Sequence, residues 1–154
     1  QMLLSEKNKI KYYMITDYWK DTGTPEDIIF ANSEILKNMK PFFLGKKDKQ
    51  TEISENTMIG KNSYISKGAK IIGPVIIGEN CVIEAKIGPN VSIGNNCIIK
   101  NCEIETSIIM NNCKIETDSK MEKSIIAPNS EIQGKLIGSQ GKRLLLGEGS
   151  KIRL

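Results

Sequence analysis

Residues 59–83 read IGKNSYISKGAKIIGPVIIGENCVI, and isoleucine returns in this stretch at every sixth position. The same interval reaches back to Ile53, so that six consecutive members span Ile53 to Ile83. A period of six fits neither an α-helix, which repeats every 3.6 residues, nor a single strand, which alternates every two. Beyond Ile83 the interval shortens by one or two residues at some steps, as expected where turns lose residues, and the ladder continues to Ile132.

Taken three at a time, with about eighteen residues to a coil, the ladder positions fall into three columns. The columns are Ile53, Ile71, Ile87, Ile104, Met121; then Ile59, Ile77, Ile93, Ile109, Ile126; then Ile65, Ile83, Ile99, Ile115, Ile132. Because strand side chains alternate, the residue two before each ladder position should also point inward. Every such residue is small; they are Thr51, Ala69, Ala85, Cys102, Ser119; Thr57, Val75, Val91, Ser107, Ser124; and Ser63, Cys81, Cys97, Cys113, Ser130. The pattern predicts a mainly β fold, a hexapeptide-repeat solenoid of about five coils with one short strand on each of three faces.

The corners of such a coil need residues that adopt left-handed backbone angles at low cost. Asn, Asp and Gly are those residue types. They recur three positions after the ladder residues, at Asn56, Asn62, Gly68, Asn80, Asn90, Asn96, Asn112, Asp118 and Asn129. We therefore predict corners at these positions. A further unit near Leu146 and Ile152 is expected to cap or extend the last coil.

All four cysteines occupy the small inward position, and Cys81, Cys97 and Cys113 share one column. A zinc site is the alternative interpretation. However, the sequence contains no C-x-x-C and no histidine, and three collinear thiols cannot present a tetrahedron. The register predicts buried, reduced structural thiols, which suit a cytoplasmic setting.

The first fifty residues differ in composition, since seven of the eight aromatic residues lie there. The polar stretch 45–50 is typical of a linker and suggests a boundary near residue 48. Before it, Lys9 to Thr16 has the β-branched and aromatic content of a strand, and Thr24-Pro25 has the features of a helix start. The apolar face of that helix is expected to comprise Ile28, Ile29, Ala31, Ile35 and Leu36, and Lys37 to Pro41 should end it.

The whole-chain composition narrows the classes of function. The 154 residues carry a net charge of +4, but arginine occurs only at Arg143 and Arg153 and the lysines are scattered, so a nucleic-acid partner is not expected. No apolar run of membrane-spanning length and no signal peptide is visible, which favours a cytoplasmic location. The absence of histidine removes the commonest general base and metal ligand. The opening Gln1-Met2-Leu3-Leu4 resembles the tail of a helix and suggests a piece of a longer protein.

Residues 18–27 read YWKDTGTPED and are followed by Ala31-Asn32. This segment resembles the W-x-D-T-G-T-P-E-D…A-N stretch near the end of the catalytic domain of sugar-1-phosphate nucleotidylyltransferases, most closely the long glucose-1-phosphate thymidylyltransferase type. The resemblance implies an incomplete catalytic domain and linker over 1–47 and a left-handed β-helix over 48–154. Spacing alone fixes the period but not the hand of the coil.

In that family a nucleoside triphosphate and a sugar 1-phosphate give a nucleotide sugar and pyrophosphate. The resemblance implies that Asp21 is a ligand of Mg²⁺ in the full-length parent. Nothing in 1–154 matches the family's glycine-rich nucleotide loop, G-G-x-G-T-R-L, its other metal-binding aspartate or its substrate-binding lysines. We therefore expect this chain alone to be inactive and, apart from Asp21 as a metal ligand, to contain no catalytic and no cofactor-binding residue.

The hexapeptide repeat is compatible with two other functions. Hexapeptide β-helices in many proteins carry acyltransferase sites, but those sites generally use a histidine, and this chain has none. The solenoid could instead serve only as an oligomerisation module, with a trimer favoured over a dimer. Isoleucines next to ladder positions should project outward and supply apolar surface for such packing; they are Ile72, Ile76, Ile98, Ile108 and Ile125.

Overall fold

The computed structural model describes residues 11–16, 19–135 and 141–153. Lys9 and Ile10 of the predicted strand, and Tyr18 of the motif, lie outside the described residues. The strand prediction is wrong for residues 11–16, which form no secondary structure and leave Tyr12 and Tyr13 more than nine-tenths exposed. A strand needs neighbouring strands to pair with, and the described part of the chain places none beside this segment.

The described residues form one helix and seventeen short strands. The helix, α1, is Pro25–Asn38. The strands are β1 (Phe42–Phe43), β2 (Lys46–Lys47), β3 (Glu52–Ile53), β4 (Thr57–Ile59), β5 (Tyr64–Ile65), β6 (Lys70–Ile71), β7 (Val75–Ile77), β8 (Val82–Ile87), β9 (Val91–Ile93), β10 (Ile98–Glu105), β11 (Ile108–Ile109), β12 (Lys114–Thr117), β13 (Lys120–Glu122), β14 (Ile125–Ile126), β15 (Glu131–Gly134), β16 (Leu145–Leu146) and β17 (Lys151–Arg153).

The strands stack in parallel on the faces of a solenoid. One face, here called face A, has seven strands in the order β1-β4-β7-β9-β11-β14-β16 and therefore makes about six turns. The other two faces are joined into one ten-stranded sheet because β8 and β10 continue around the corner between them. This is the predicted solenoid, and the arrangement is consistent with the left-handed β-helix that the resemblance implies.

The three predicted columns are confirmed position by position. Ile59 pairs with Ile77 and Ile77 with Ile93 on face A, and the other two columns pair in the same way. From the second coil onward the ladder side chains are at most 3% exposed. The small residues two positions earlier are buried as well, except Thr51, which is half-buried in the first coil. The core is thus a single stack of isoleucines lined by small side chains.

The column of Cys81, Cys97 and Cys113 is confirmed too. All four cysteines are free and buried. The backbone N–H of Cys97 donates to Cys81 Sγ at 3.4 Å, so successive thiols lie on successive coils. Burial without a charged partner raises the pKa of the fourth thiol, Cys102, to about 12.

Most predicted corners have the expected backbone. Positive φ occurs at Gly68 and at Asn62, Asn80, Asn90, Asn96, Asn112 and Asn129. The prediction is wrong for Asn56 and Asp118, while Asn101, Thr106 and Lys123 adopt positive φ although they were not expected to. Asn101 forms a corner inside β10, at the place where the register of this strand shifts between Lys100 and Glu103. The turn at this corner is shortened, so the corner falls within the strand.

The asparagines of one corner also bond to each other. Asn62 Nδ2 donates to Asn80 Oδ1 at 3.2 Å, and Asn80 Nδ2 donates to Asn96 Oδ1 at the same distance. The chain of amides continues through Asn112 to Asn129 with distances of 3.0 Å. Asparagine at this corner therefore satisfies two needs, a left-handed φ and a bond to the next coil.

The solenoid begins earlier than predicted, and the final stretch extends it as expected. The stretch 45–50 is not a linker, because β2 lies within it and pairs with β5. The Tyr64 hydroxyl donates to Asp48 Oδ1 at 2.6 Å, which ties this stretch to the second coil. At the other end, β16 and β17 pair with β14 and β15, so the final stretch adds a coil. No helix among the described residues is long and apolar enough to cross a membrane.

Candidate functional site

The loop Lys20–Thr24 carries Asp21 and leads directly into α1. Asp21 is exposed. A Cβ added at Gly23 would lie 3.8 and 4.0 Å from the two carboxylate oxygens of Asp21, so the carboxylate lies close to the backbone at residue 23. No side chain in the described part of the chain forms an ion pair with Asp21. Its oxygens are thus open to a ligand that arrives from solvent.

Helix α1 begins as the sequence predicts. Thr24 is the N-cap with extended backbone angles, and its Oγ1 accepts from the backbone N–H of Asp27 at 3.2 Å. The same hydroxyl donates to Asp27 Oδ2 at 2.6 Å. Pro25 occupies the first turn, where its missing N–H costs nothing. The helix ends at Asn38 with Met39 as the C-cap, as predicted.

Lys20 bonds to the same carboxylate from the other side. Its Nζ lies 2.9 Å from Asp27 Oδ1 and 4.4 Å from the centre of the Phe30 ring, within the range of a cation–π contact. The hydrogen bond from Thr24 and then that from Lys20 lower the pKa of the Asp27 carboxyl. Asp27 is therefore a carboxylate at neutral pH that contacts both ends of the Asp21 loop.

Helix α1 packs against face A of the solenoid. Its buried apolar residues are Ile29 and Leu36, two turns apart. Between them, Asn32 Oδ1 accepts a hydrogen bond from Ser92 Oγ of β9 at 2.5 Å. At the start of the helix, Glu26 Oε1 lies 2.7 Å from Arg143 Nη2. The prediction that Ile28 and Ile35 belong to the buried face is wrong, since they are 39% and 59% exposed.

The surface beneath the helix is an apolar column on the outer side of face A. In register, its members are Phe42, Met58, Ile76, Ser92, Ile108, Ile125 and Leu145. Met58 is fully buried, whereas Phe42 and Leu145 at the two ends are 40% and 49% exposed. Three of the isoleucines predicted to project outward, Ile76, Ile108 and Ile125, lie in this column and are half-buried. Of the five, Ile98 alone is strongly exposed, at 39%.

The described residues contain no complete metal site. No group of three Asp, Glu, His or Cys side chains in the described ranges could hold a metal ion. Mg²⁺ commonly uses only one or two carboxylates together with water and substrate phosphates, and an exposed, unpaired aspartate suits that role. The metal-binding role of Asp21 stays a prediction.

The sequence predicted the loop that carries Asp21 but not the contacts that hold the loop and α1 in place. Lys20 and Asn32 stand inside the recognised motif, although nothing in the pattern indicated their partners. Ser92 could have been noticed as the one polar residue of an otherwise apolar outward column. No sequence pattern indicated a role for Arg143, because its contact with Glu26 depends on where the last coil ends.

Comparison with known proteins agrees with this geometry. The family model described as the GMPPB C-terminal domain matches residues 71–152, just over half of the chain. Glucose-1-phosphate thymidylyltransferase of Streptomyces antibioticus is 31% identical over 155 residues, which cover 100% of this chain and 43% of that protein. The enzyme of the same name from Streptomyces griseus is 26% identical over 70% of this chain and 30% of its own length.

Mannose-1-phosphate guanylyltransferase of Mycobacterium tuberculosis is 26% identical over 63% of this chain and 24% of its own length. The chain thus spans less than half the length of these curated relatives. The match with the Streptomyces antibioticus protein includes the Asp21 loop and α1 as well as the solenoid.

Proposed function

Since the chain belongs to the GMPPB C-terminal domain family, we propose that it is the C-terminal part of a sugar-1-phosphate nucleotidylyltransferase. The longer protein joins a nucleoside triphosphate to a sugar 1-phosphate, giving a nucleotide sugar and pyrophosphate. The relatives named above are thymidylyl- and guanylyltransferases of sugar 1-phosphates. The names describe the same type of reaction, but the base of the nucleotide and the sugar differ between them. The observation that carries the proposal is the match over the whole chain, loop and solenoid together.

The exposed apolar side chains in the first part of the chain support the presence of another domain that packs against them. Tyr12, Tyr13 and Trp19 are between 70% and 92% exposed, and Phe30 and Ile35 on the outer side of α1 are 48% and 59% exposed. Large apolar side chains concentrated in one region mark a packing surface. The proposed catalytic domain provides the surface that covers them.

Asp21 is the residue through which this chain contributes to catalysis in the proposal. It supplies one carboxylate to Mg²⁺, and other ligands come from substrate phosphates, water and the catalytic domain. When bound, Mg²⁺ neutralises the phosphate charge. The exposed Asp21 and its lack of a cationic partner in the described residues support this role. The chain alone lacks the remaining machinery and is inactive.

The solenoid serves packing and assembly in this proposal. The outward column of face A binds α1 at its centre and leaves Phe42 and Leu145 exposed at its ends, while Ile98 is exposed on another face. These apolar side chains are available for contacts between copies of the chain, and we favour a trimer over a dimer. The four free, buried thiols support a cytoplasmic location. Light scattering at high micromolar concentration tests the assembly, and a clean monomer contradicts it.

The activity is tested with the longer protein that contains this chain. Pyrophosphate release is measured with each common nucleoside triphosphate paired with each of several hexose 1-phosphates, at millimolar Mg²⁺. We expect release with at least one pair and none from residues 1–154 alone. Release with no pair contradicts the proposed function, and release by the isolated chain above a buffer blank contradicts the assignment of the chemistry to the rest of the protein.

A further inference from the structure

Asp27 holds the two ends of the loop that carries Asp21. Its Oδ1 lies 2.9 Å from Lys20 Nζ, on the residue immediately before Asp21. Its Oδ2 accepts from Thr24 Oγ1 at 2.6 Å, on the last residue of the loop. One carboxylate therefore closes the loop with two charge-assisted hydrogen bonds, which are the stronger kind. We call this set of contacts the Asp27 clamp.

The clamp is fixed to the solenoid through α1. Asp27 lies in the first turn of the helix, next to Glu26, which pairs with Arg143 of the last coil at 2.7 Å. Two residues further on, Ile29 is buried against face A. The loop is thus tied to a helix that is itself anchored at its start and at its centre, where Asn32 bonds to Ser92.

We propose that Asp27 is a positioning residue, which holds the Asp21 carboxylate in a fixed place for the metal. The proposal rests on the proposed function, since it takes Asp21 as a metal ligand. A free five-residue loop loses conformational entropy when it orders around a ligand, and a loop ordered beforehand avoids that cost. Groups that orient metal ligands typically change metal affinity or activity about 10–100-fold when they are mutated.

A simpler role for Asp27 is that of a helix-start carboxylate that interacts with the helix dipole. The two roles predict different effects at Lys20. Lys20→Met removes one end of the clamp but leaves Thr24, the N-cap and both acidic residues of the first turn unchanged. A positioning role requires Lys20→Met to loosen the loop as Asp27→Asn does, whereas a dipole role requires no effect.

The first experiment measures backbone order in the loop of this chain, without metal and without activity. NMR order parameters are recorded for the amides of residues 21–23 in wild type, Asp27→Asn and Lys20→Met. We expect values near 0.8 in wild type and below about 0.6 in both variants, typical of rigid and flexible backbone. Lys20→Arg, which keeps the ion pair, should retain the wild-type values.

The matched control is Glu34→Gln, which removes a carboxylate on the same helix that pairs with Lys37. It should leave residues 21–23 unchanged, and circular dichroism should show the same fold for every variant. Wild-type order at residues 21–23 in both Asp27→Asn and Lys20→Met overturns the proposal.

The second experiment uses the longer protein and measures the Mg²⁺ concentration that gives half-maximal pyrophosphate release. We expect Asp27→Asn to raise it about 10–100-fold while the KM of the sugar 1-phosphate changes little, and Glu34→Gln to leave it unchanged. An unchanged Mg²⁺ requirement in Asp27→Asn overturns the positioning role while nucleotidyl transfer itself stands. Absence of transfer in the wild type instead contradicts the proposed function, and the loop-order result is independent of it.

Discussion

Ser92 and Asn32 are sixty residues apart in sequence, and their side chains lie 2.5 Å apart where α1 crosses the solenoid. Ser92 is the single polar member of the outward column of face A. Asn32 lies between Ile29 and Leu36 on the helix, and its Nδ2 is buried without a partner in the described residues. A polar pair in an apolar contact gives one preferred position for the helix, because any sliding would leave both groups unbonded.

Ser92→Ala is therefore expected to weaken the docking of α1. The substitution leaves both polar groups of the buried Asn32 amide without a bond, which costs about 1–3 kcal/mol. Hydrogen exchange of the α1 amides should speed up by a matching factor, while the amides of β12 and β15 keep their protection. The double variant Ser92→Ala with Asn32→Leu should recover much of the protection, and equal exchange in all three proteins argues against a docking role for the pair.

The ladder predicts a steep dependence of stability on side-chain chemistry at Ile99, which is fully buried. Ile99→Val removes one methylene and should lower the free energy of unfolding by about 0.5–1.5 kcal/mol. Ile99→Asp places an unpaired charge in a core one side chain wide and should prevent folding. Urea titration followed by circular dichroism measures both. A cooperative transition for Ile99→Asp near that of wild type would show that this position does not face the core.

Corner asparagines are expected to tolerate glycine better than alanine. Asn96 has φ of 57°, accepts from Asn80 and donates to Asn112. Asn96→Ala loses these bonds and adds left-handed strain, for a total of about 1–3 kcal/mol. Asn96→Gly loses the bonds but not the conformation, so it should destabilise less. The midpoints of urea unfolding of the two variants show which is the more stable. A lower midpoint for Asn96→Gly than for Asn96→Ala contradicts the assignment of Asn96 to a corner.

The four thiols should be unreactive while the protein is folded. Each is buried, so that a reagent in solution cannot reach it. Burial also raises the pKa of Cys102 to about 12, whereas hydrogen bonding with Cys97 lowers the pKa of Cys81 and Cys113 to about 7, so these two thiols are protected by inaccessibility and not by protonation. Titration with an aromatic disulfide reagent at pH 8 should modify none of them within minutes in buffer and all four in denaturant. Rapid modification of one or more in buffer would place that cysteine at the surface.

The periodic part of the fold could be predicted from sequence because its core is only one residue deep. Each ladder residue must meet its counterpart on the next coil, so spacing alone identifies the neighbours of Ile77 or Ile99. The start of the first coil escaped prediction because Lys47 stands in the ladder position that pairs with Ile65, and a lysine breaks the apolar pattern. The pairing of β2 is determined by β5 in the next coil and not by the residues of β2 itself.

The parts that involve α1 depend on tertiary contacts that carry no period. Ile28 and Ile35 have the same spacing as Ile29 and Leu36, so either pair could have faced the solenoid. Ser92 favours the second pair, because only that face also presents Asn32. The segment 11–16 has the composition of a strand, but composition cannot supply the neighbouring strand that would pair with it.

The proposed role of Asp21 in the longer protein is the central claim, and one comparison tests it most directly. Asp21→Asn is set beside Asp118→Asn, the same chemical change at another exposed aspartate, and Mg²⁺-dependent pyrophosphate release is measured for both in the longer protein. Loss of a metal ligand should reduce kcat/KM on the order of 100-fold or more for Asp21→Asn, and Asp118→Asn should match wild type. Equal activity in Asp21→Asn and Asp118→Asn would contradict the account.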